Sequence, residues 1–153
     1  MKRHLIAIDP GASGGLAWID QDGHTHAEPM PAGMTAQADR LRALAAELPG
    51  AEAVIEKVGG YMPGNSGPAA ATFARHCGHL DAILYMAGLP TVAVAPGVWQ
   101  KALGELPREK ADRKRAIREL MARRFPALSV TLKTADALGI LTWAAGRRGS
   151  ADG

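Results

Sequence analysis

The chain has 153 residues, 47% apolar and 22% charged, which fits one folded, soluble domain and excludes a disordered chain. No apolar run nears the length of a membrane span, Met1-Lys2-Arg3-His4 leads into a strand without a signal-peptide core, and Cys77 is the single cysteine, so a cytoplasmic protein without internal disulfides is expected. The net charge of +3 is uneven: residues 108–124 hold eight Lys or Arg against three acids, and the remainder is net acidic.

Leu5 to Ile8 is a short apolar run of the kind a strand buried on both faces shows. It stops at Asp9, and Pro10-Gly11 turns the chain. A carboxylate thus ends a buried strand beside backbone that can approach a ligand closely. Such a group suits a hard divalent cation, which prefers oxygen ligands. Asp-Pro-Gly is also good turn chemistry anywhere. Leu16 to Ile19 reads as a second strand, Asp20-Gln21-Asp22-Gly23 as a hairpin turn, and His24 to Met30 as a third strand. His24 and His26 share a strand face that fits an exposed polar surface better than a metal pair. Thr35 reads as the N-cap of a helix to about Leu48, with Leu41, Leu44, Ala45 and Leu48 as its buried stripe.

Ala53 to Glu56 repeats the first pattern, an apolar run ending in a carboxylate, here followed by Lys57 as a surface ion-pair partner. The glycine-rich loop that follows carries Tyr61 and Met62, apolar side chains on a loop, where contact roles are common. Residues 68–87 read as a helix with Phe73, Cys77, Leu80, Leu84 and Ala87 on its core face, which makes Cys77 a packed small hydrophobe. His76-Cys77-Gly78-His79 is a poor zinc site, because consecutive helical residues do not converge on one ion. Thr91 to Ala95 reads as a further buried strand. Beyond it Trp99 is assigned to packing, and Lys101 to the sheet edge that carries the carboxylates. The basic segment reads as a helix with Ile117, Leu120 and Met121 inside and Arg108, Lys110, Arg113, Lys114 and Arg115 among its outer charges. Such a patch fits a polyanion such as nucleic acid, or a solvated face with i,i+4 pairs. Thr134 reads as the cap of a last helix from Ala135 to about Ala145, which puts Asp136 in the first turn, where the helix dipole favours an acid. Residues 1–146 are expected to form one domain and 147–153 a flexible tail.

Three antiparallel strands followed by helix–strand alternation give an α/β fold, a mixed five-stranded sheet with helices on both faces. In such a sheet Asp9 and Glu56 end neighbouring strands, and Asp136 opens a helix that can pack beside them. Three acids there repel unless cations lie between them. Two Mg²⁺ ions roughly 4 Å apart would activate water and stabilise the leaving oxygen of a phosphodiester.

The ordered motifs also resemble the RuvC-type Holliday-junction resolvases of the RNase H-like superfamily, especially their phage-like relatives. The matching pieces are Ile-Asp9-Pro-Gly, Val-Ile-Glu56, the helix with Gly78, Leu-Pro-Thr-Val-Ala-Val-Ala-Pro, Val-Trp99-Gln-Lys101-Ala-Leu-Gly and Thr-Ala-Asp136-Ala-Leu-Gly-Ile-Leu. The resemblance implies an RNase H-like fold and a structure-selective endonuclease that hydrolyses phosphodiesters in four-way or other branched DNA. It implies Asp9, Glu56 and Asp136 as metal-binding catalytic acids, with two Mg²⁺ ions that Mn²⁺ can replace, and Lys101 as a basic residue near the scissile phosphate. Lys57, Arg108, Lys110, Arg113, Lys114, Arg115 and Lys133 join the expected DNA contacts, with Tyr61 and Met62 on the loop that enters the junction, and the implied assembly is a homodimer.

One position departs from the pattern. Three residues before the last acid the family usually carries Asp or His, and here stands Lys133, which cannot ligate a metal while protonated. A catalytically impaired junction-binding protein of the same fold therefore stays open, as does an RNase H-like nuclease acting on RNA. Strand–Asp-x-Gly turns also open sugar-kinase and actin-like ATPases, but those need two such domains around the nucleotide.

Overall fold

The structure, a computed structural model, describes residues 4–58 and 67–151, with side chains as far as residue 147. Strands β1 (Leu5–Asp9), β2 (Gly15–Ile19) and β3 (Thr25–Pro29) come first, then helix α1 (Met34–Glu47), strand β4 (Glu52–Glu56), helix α2 (Gly67–Met86), strand β5 (Thr91–Val94) and helices α3 (Pro96–Lys101), α4 (Lys110–Arg124) and α5 (Leu132–Ala151). One sheet takes the order β3-β2-β1-β4-β5. β1 pairs antiparallel with β2 and parallel with β4; β2–β3 is antiparallel and β4–β5 parallel. This is the mixed sheet that the chain order predicts.

Alternation along the strands divides the core into two layers. Ile6, Ile8, Leu16, Trp18, Ala53 and Ile55 pack with Leu41, Leu44 and Leu48 of the α1 segment and with Leu80, Ile83 and Leu84 of α2. Leu5, Ala7, Ala17, Val54 and Val94 face the other way, against Trp99 of α3, Ile117 and Met121 of α4, and Ala137, Leu138, Ile140 and Leu141 of α5. Helices therefore cover both faces. Among the described residues no helix is long and apolar enough to cross a membrane.

Four local expectations are corrected. α1 starts at Met34, because Gly33 takes a positive φ of 86° and turns the chain into the helix before Thr35. β5 is not a buried strand: only Val94 is buried, because β5 is the outermost strand with one neighbour. In α2 the buried face is Leu80, Ile83 and Leu84, while Phe73 and Cys77 are only half-buried, so the core stripe belongs to the C-terminal half. α5 starts a turn before Ala135 and continues to Ala151, past the expected end near Ala145. The Thr131 amide, one residue before α5, donates to Thr134 Oγ1 at 3.1 Å, so Thr134 completes the cap from inside the first turn instead of being the cap.

Candidate active site

The register of the central strands sets the site. Ile8 lies opposite Ile55, so the next residues, Asp9 and Glu56, end β1 and β4 side by side. Ile8 and Ile55 face the α1/α2 layer, so alternation turns Asp9 and Glu56 to the face covered by α3, α4 and α5. Asp136 enters from α5, between Ala135 and Ala137, both fully buried in that layer. It lies beyond the first turn of α5, which contains no acid, so the helix dipole does not account for it. The turn after β1 is tight: the Gly14 amide donates to the Gly11 carbonyl at 3.0 Å, Gly11 has φ 115°, and a Cβ on Gly14 would overlap the Asp9 carbonyl.

The electrostatics mark the three acids as one group. Burial, then repulsion from Asp136 and Glu56, pushes the Asp9 carboxyl up to about 8. Burial also raises Glu56, with Asp136 adding to it and a hydrogen bond from Trp99 opposing it. Asp136 is raised by burial and eased by Lys114 and Arg113. Lys114 lowers all three, so its ammonium is the cation that the whole group shares. The donor set is all oxygen and short of positive charge, which fits hard divalent cations. Among the described residues the three acids do not close to within 4.8 Å of one another as a single-ion cage would; the group that does is Asp20, Asp22 and His24. That group has a local explanation in the β2–β3 hairpin. Asp20 Oδ1 accepts from the amides of Asp22 and His24, both at 2.9 Å, and Oδ2 contacts His26 Nε2 at 2.7 Å. Asp20 thereby ties the turn, and its carboxyl is held down to about 2, first by His26. His76, Cys77 and His79 form no metal-ligand group among the described residues.

Glu56 has a partner that strand-end reasoning misses. It is not a surface acid paired with Lys57: it is half-buried, and Trp99 Nε1 donates to its Oε2 at 2.7 Å. Trp99 packs, as its residue type predicts, but it also holds a candidate site residue. A signal existed, because a fully buried indole N–H needs an acceptor.

The remaining candidates are spread more widely. Lys101 ends α3, exposed to solvent, and Lys57 follows β4, with its amide bonded to the Val94 carbonyl at 2.7 Å. Lys133 is exposed in the first turn of α5. Glu109 caps α4 by accepting from the amides of Ala111 and Asp112 at 3.1 and 2.8 Å, which fixes where the basic helix begins. Arg113 donates to the Arg108 carbonyl at 2.8 Å, and Arg115 pairs with Asp112. Lys110 opens α4 in solvent. Lys114 is exposed on α4, as an outer basic face requires, and Arg113 is half-buried; the positive charge of both lowers the Asp136 carboxyl. Tyr61 and Met62 lie outside the described residues.

No protein-family model matches the chain, and no curated protein matches it by sequence. Solved structures do. A structure of Thermus thermophilus RuvC in complex with a Holliday junction substrate matches with a TM-score of 0.64 and 18% identity, over 97% of this chain and 97% of that one. A second structure of Thermus thermophilus RuvC matches with a TM-score of 0.58 and 18% identity, over 95% of this chain and 96% of that one. At this identity the likeness is one of fold, and it extends over nearly the whole chain. The five-stranded mixed sheet with its two helical layers is the RNase H-like fold of RuvC.

Proposed function

We propose that the chain is a divalent-metal-dependent endonuclease that resolves four-way DNA junctions. The observation that carries this reading is the convergence of Asp9, Glu56 and Asp136, with raised carboxyl pKa values, on one face of an RNase H-like sheet. The solved protein of like fold that is bound to a Holliday junction substrate supports the choice of DNA structure.

In this reading Asp9, Glu56 and Asp136 hold two Mg²⁺ ions, with Mn²⁺ as a substitute. When bound, the ions supply activation of the attacking water and stabilisation of the leaving oxygen in phosphodiester hydrolysis. Lys114 and Arg113, at the rim of the acids, draw the scissile phosphate towards them, and Lys101 contacts the same strand. Lys57, Arg108, Lys110, Arg115 and Lys133 bind flanking phosphates, which fixes register without reading sequence. Tyr61 and Met62 enter the open centre of the junction. Two copies act together, since a four-way junction offers two equivalent strands to a two-fold dimer. Tyr85 and Met86, 83% and 81% exposed on α2, supply apolar surface for that pairing. The protein acts in the cytoplasm.

The test is cleavage of a labelled mobile four-way junction and of a matched linear duplex in Mg²⁺ or Mn²⁺, by this chain and by Asp9→Asn. Paired nicks on opposite arms of the junction, absent with Asp9→Asn and absent from the duplex, are expected. Lys133 favours a second reading, a junction-binding protein without cleavage, because a protonated lysine supplies no ligand where a fourth would stand. Tight junction binding without nicks, with cleavage gained by Lys133→Asp, would replace the first reading by the second. Cleavage of an RNA–DNA hybrid in preference to the junction would replace both.

A further inference from the structure

Glu56 sits at the end of β4 with three side-chain torsions to fix, and a flexible carboxylate makes a poor ligand. Trp99, 43 residues away in α3, removes that freedom by donating its indole N–H to Oε2 at 2.7 Å. The indole is itself fully buried. Its place depends on Gly139: a Cβ there would lie 2.5 Å from Trp99 Cζ3, closer than side chains pack, and 3.1 Å from Cε3. Gly139 stands one turn beyond Asp136 on α5, so both face the layer that holds Trp99. The helix that carries one acid is thus notched to seat the indole that holds another.

We infer that Trp99 is a positioning residue for Glu56, and Gly139 its seat: together they lock Oε2 and present Oε1 to a divalent cation in register with Asp136. The inference rests on the proposed reading of Asp9, Glu56 and Asp136 as metal ligands. An indole N–H that fixes a ligating carboxylate raises metal affinity by lowering the cost of ordering the ligand.

The test separates the hydrogen bond from the packing. Site-specific replacement of Trp99 by 3-benzothienylalanine keeps the ring volume and removes the N–H; Gly139→Ala keeps the N–H and displaces the ring. For each full-length variant, Mn²⁺ binding without DNA is measured by electron paramagnetic resonance, and junction cleavage is measured across Mn²⁺ concentration. Thermal melting without metal monitors the fold. Both variants are expected to bind Mn²⁺ about 10–100-fold more weakly. For the benzothienyl variant cleavage should return to near the wild-type rate at saturating Mn²⁺, with its melting temperature unchanged. Combining it with Glu56→Gln should weaken Mn²⁺ binding no further than Glu56→Gln alone. Wild-type Mn²⁺ affinity in the benzothienyl variant would overturn the role of Trp99. Equal Mn²⁺ binding by the wild type and Asp9→Asn would instead overturn the metal reading of the acids, and the inference with it.

Discussion

Gly15 and Lys133 meet backbone to backbone: a Cβ on Gly15 would lie 2.5 Å from the Lys133 carbonyl oxygen. Gly15 is also the cross-strand partner of Asp9. The start of α5 therefore rests on the residue beside Asp9, and Asp136 follows Lys133 by less than one helical turn. The missing side chain at position 15 brings the third acid to the other two. Gly15→Ala crowds the Lys133 carbonyl of α5 and, at 2.8 Å, the Glu28 carbonyl of β3, and should cost about 1–3 kcal/mol, as overpacking does. Urea denaturation measures that loss. Junction cleavage should fall further than the stability loss explains, because Asp136 moves away from Asp9. A variant of wild-type stability would show that α5 rests elsewhere.

The crowding of the acids sets a pH dependence. The Asp9 carboxyl is raised from 3.8 to about 8, so the folded state binds its proton more tightly than the unfolded state. The resulting stability is fully present below about pH 4 and is lost as pH rises towards 8. Asp9→Asn removes the charge that burial opposes. In metal-free buffer it should be more stable than the wild type at pH 8 and close to it at pH 4. Added Mg²⁺ should stabilise the wild type more than Asp9→Asn. Denaturation curves at the two pH values, with EDTA or Mg²⁺, check both expectations.

Lys114 and Arg115 are neighbours on α4 with different surroundings. Lys114 influences all three acids, whereas Arg115 pairs with Asp112 in solvent. Arg115→Ala should weaken junction and duplex binding alike and flatten the salt dependence by about one unit of slope if it meets one phosphate. Lys114→Ala should do this and also slow cleavage at saturating DNA, by roughly 10-fold or more, the scale at which one donor to the reacting phosphate counts. Binding isotherms across salt concentration and single-turnover cleavage distinguish the two.

Tyr85 and Met86 give the proposed dimer a handle. Introducing charge there, as Tyr85→Glu with Met86→Lys, should leave the monomer within about 0.5 kcal/mol of the wild type, since both residues are exposed. Sedimentation should show a shift from dimer to monomer, and paired nicks on the junction should become single ones. An unchanged dimer would move the interface to another face.

The pattern of apolar runs and turns by itself determined the strand order, the four longer helices, the mixed sheet and the two strand-end acids, but not the short helix α3, which spans only Pro96–Lys101. These follow from local periodicity and from Gly and Pro at the breaks, which the chain carries residue by residue. Asp136 was legible as a third acid, but not its depth within α5, because capping by Thr131 and Thr134 moves the helix start by one turn. Tertiary structure alone decided which charges and donors the acids meet. Trp99 reaches Glu56 across 43 positions, Gly139 makes room for it, and the charge of the exposed Lys114 acts on the acids. None of these contacts has a period or a spacing in the chain. They arise where parallel pairing sets Asp9 beside Glu56 and the α3–α5 layer closes over that sheet face, so only the packed arrangement of these elements carries them.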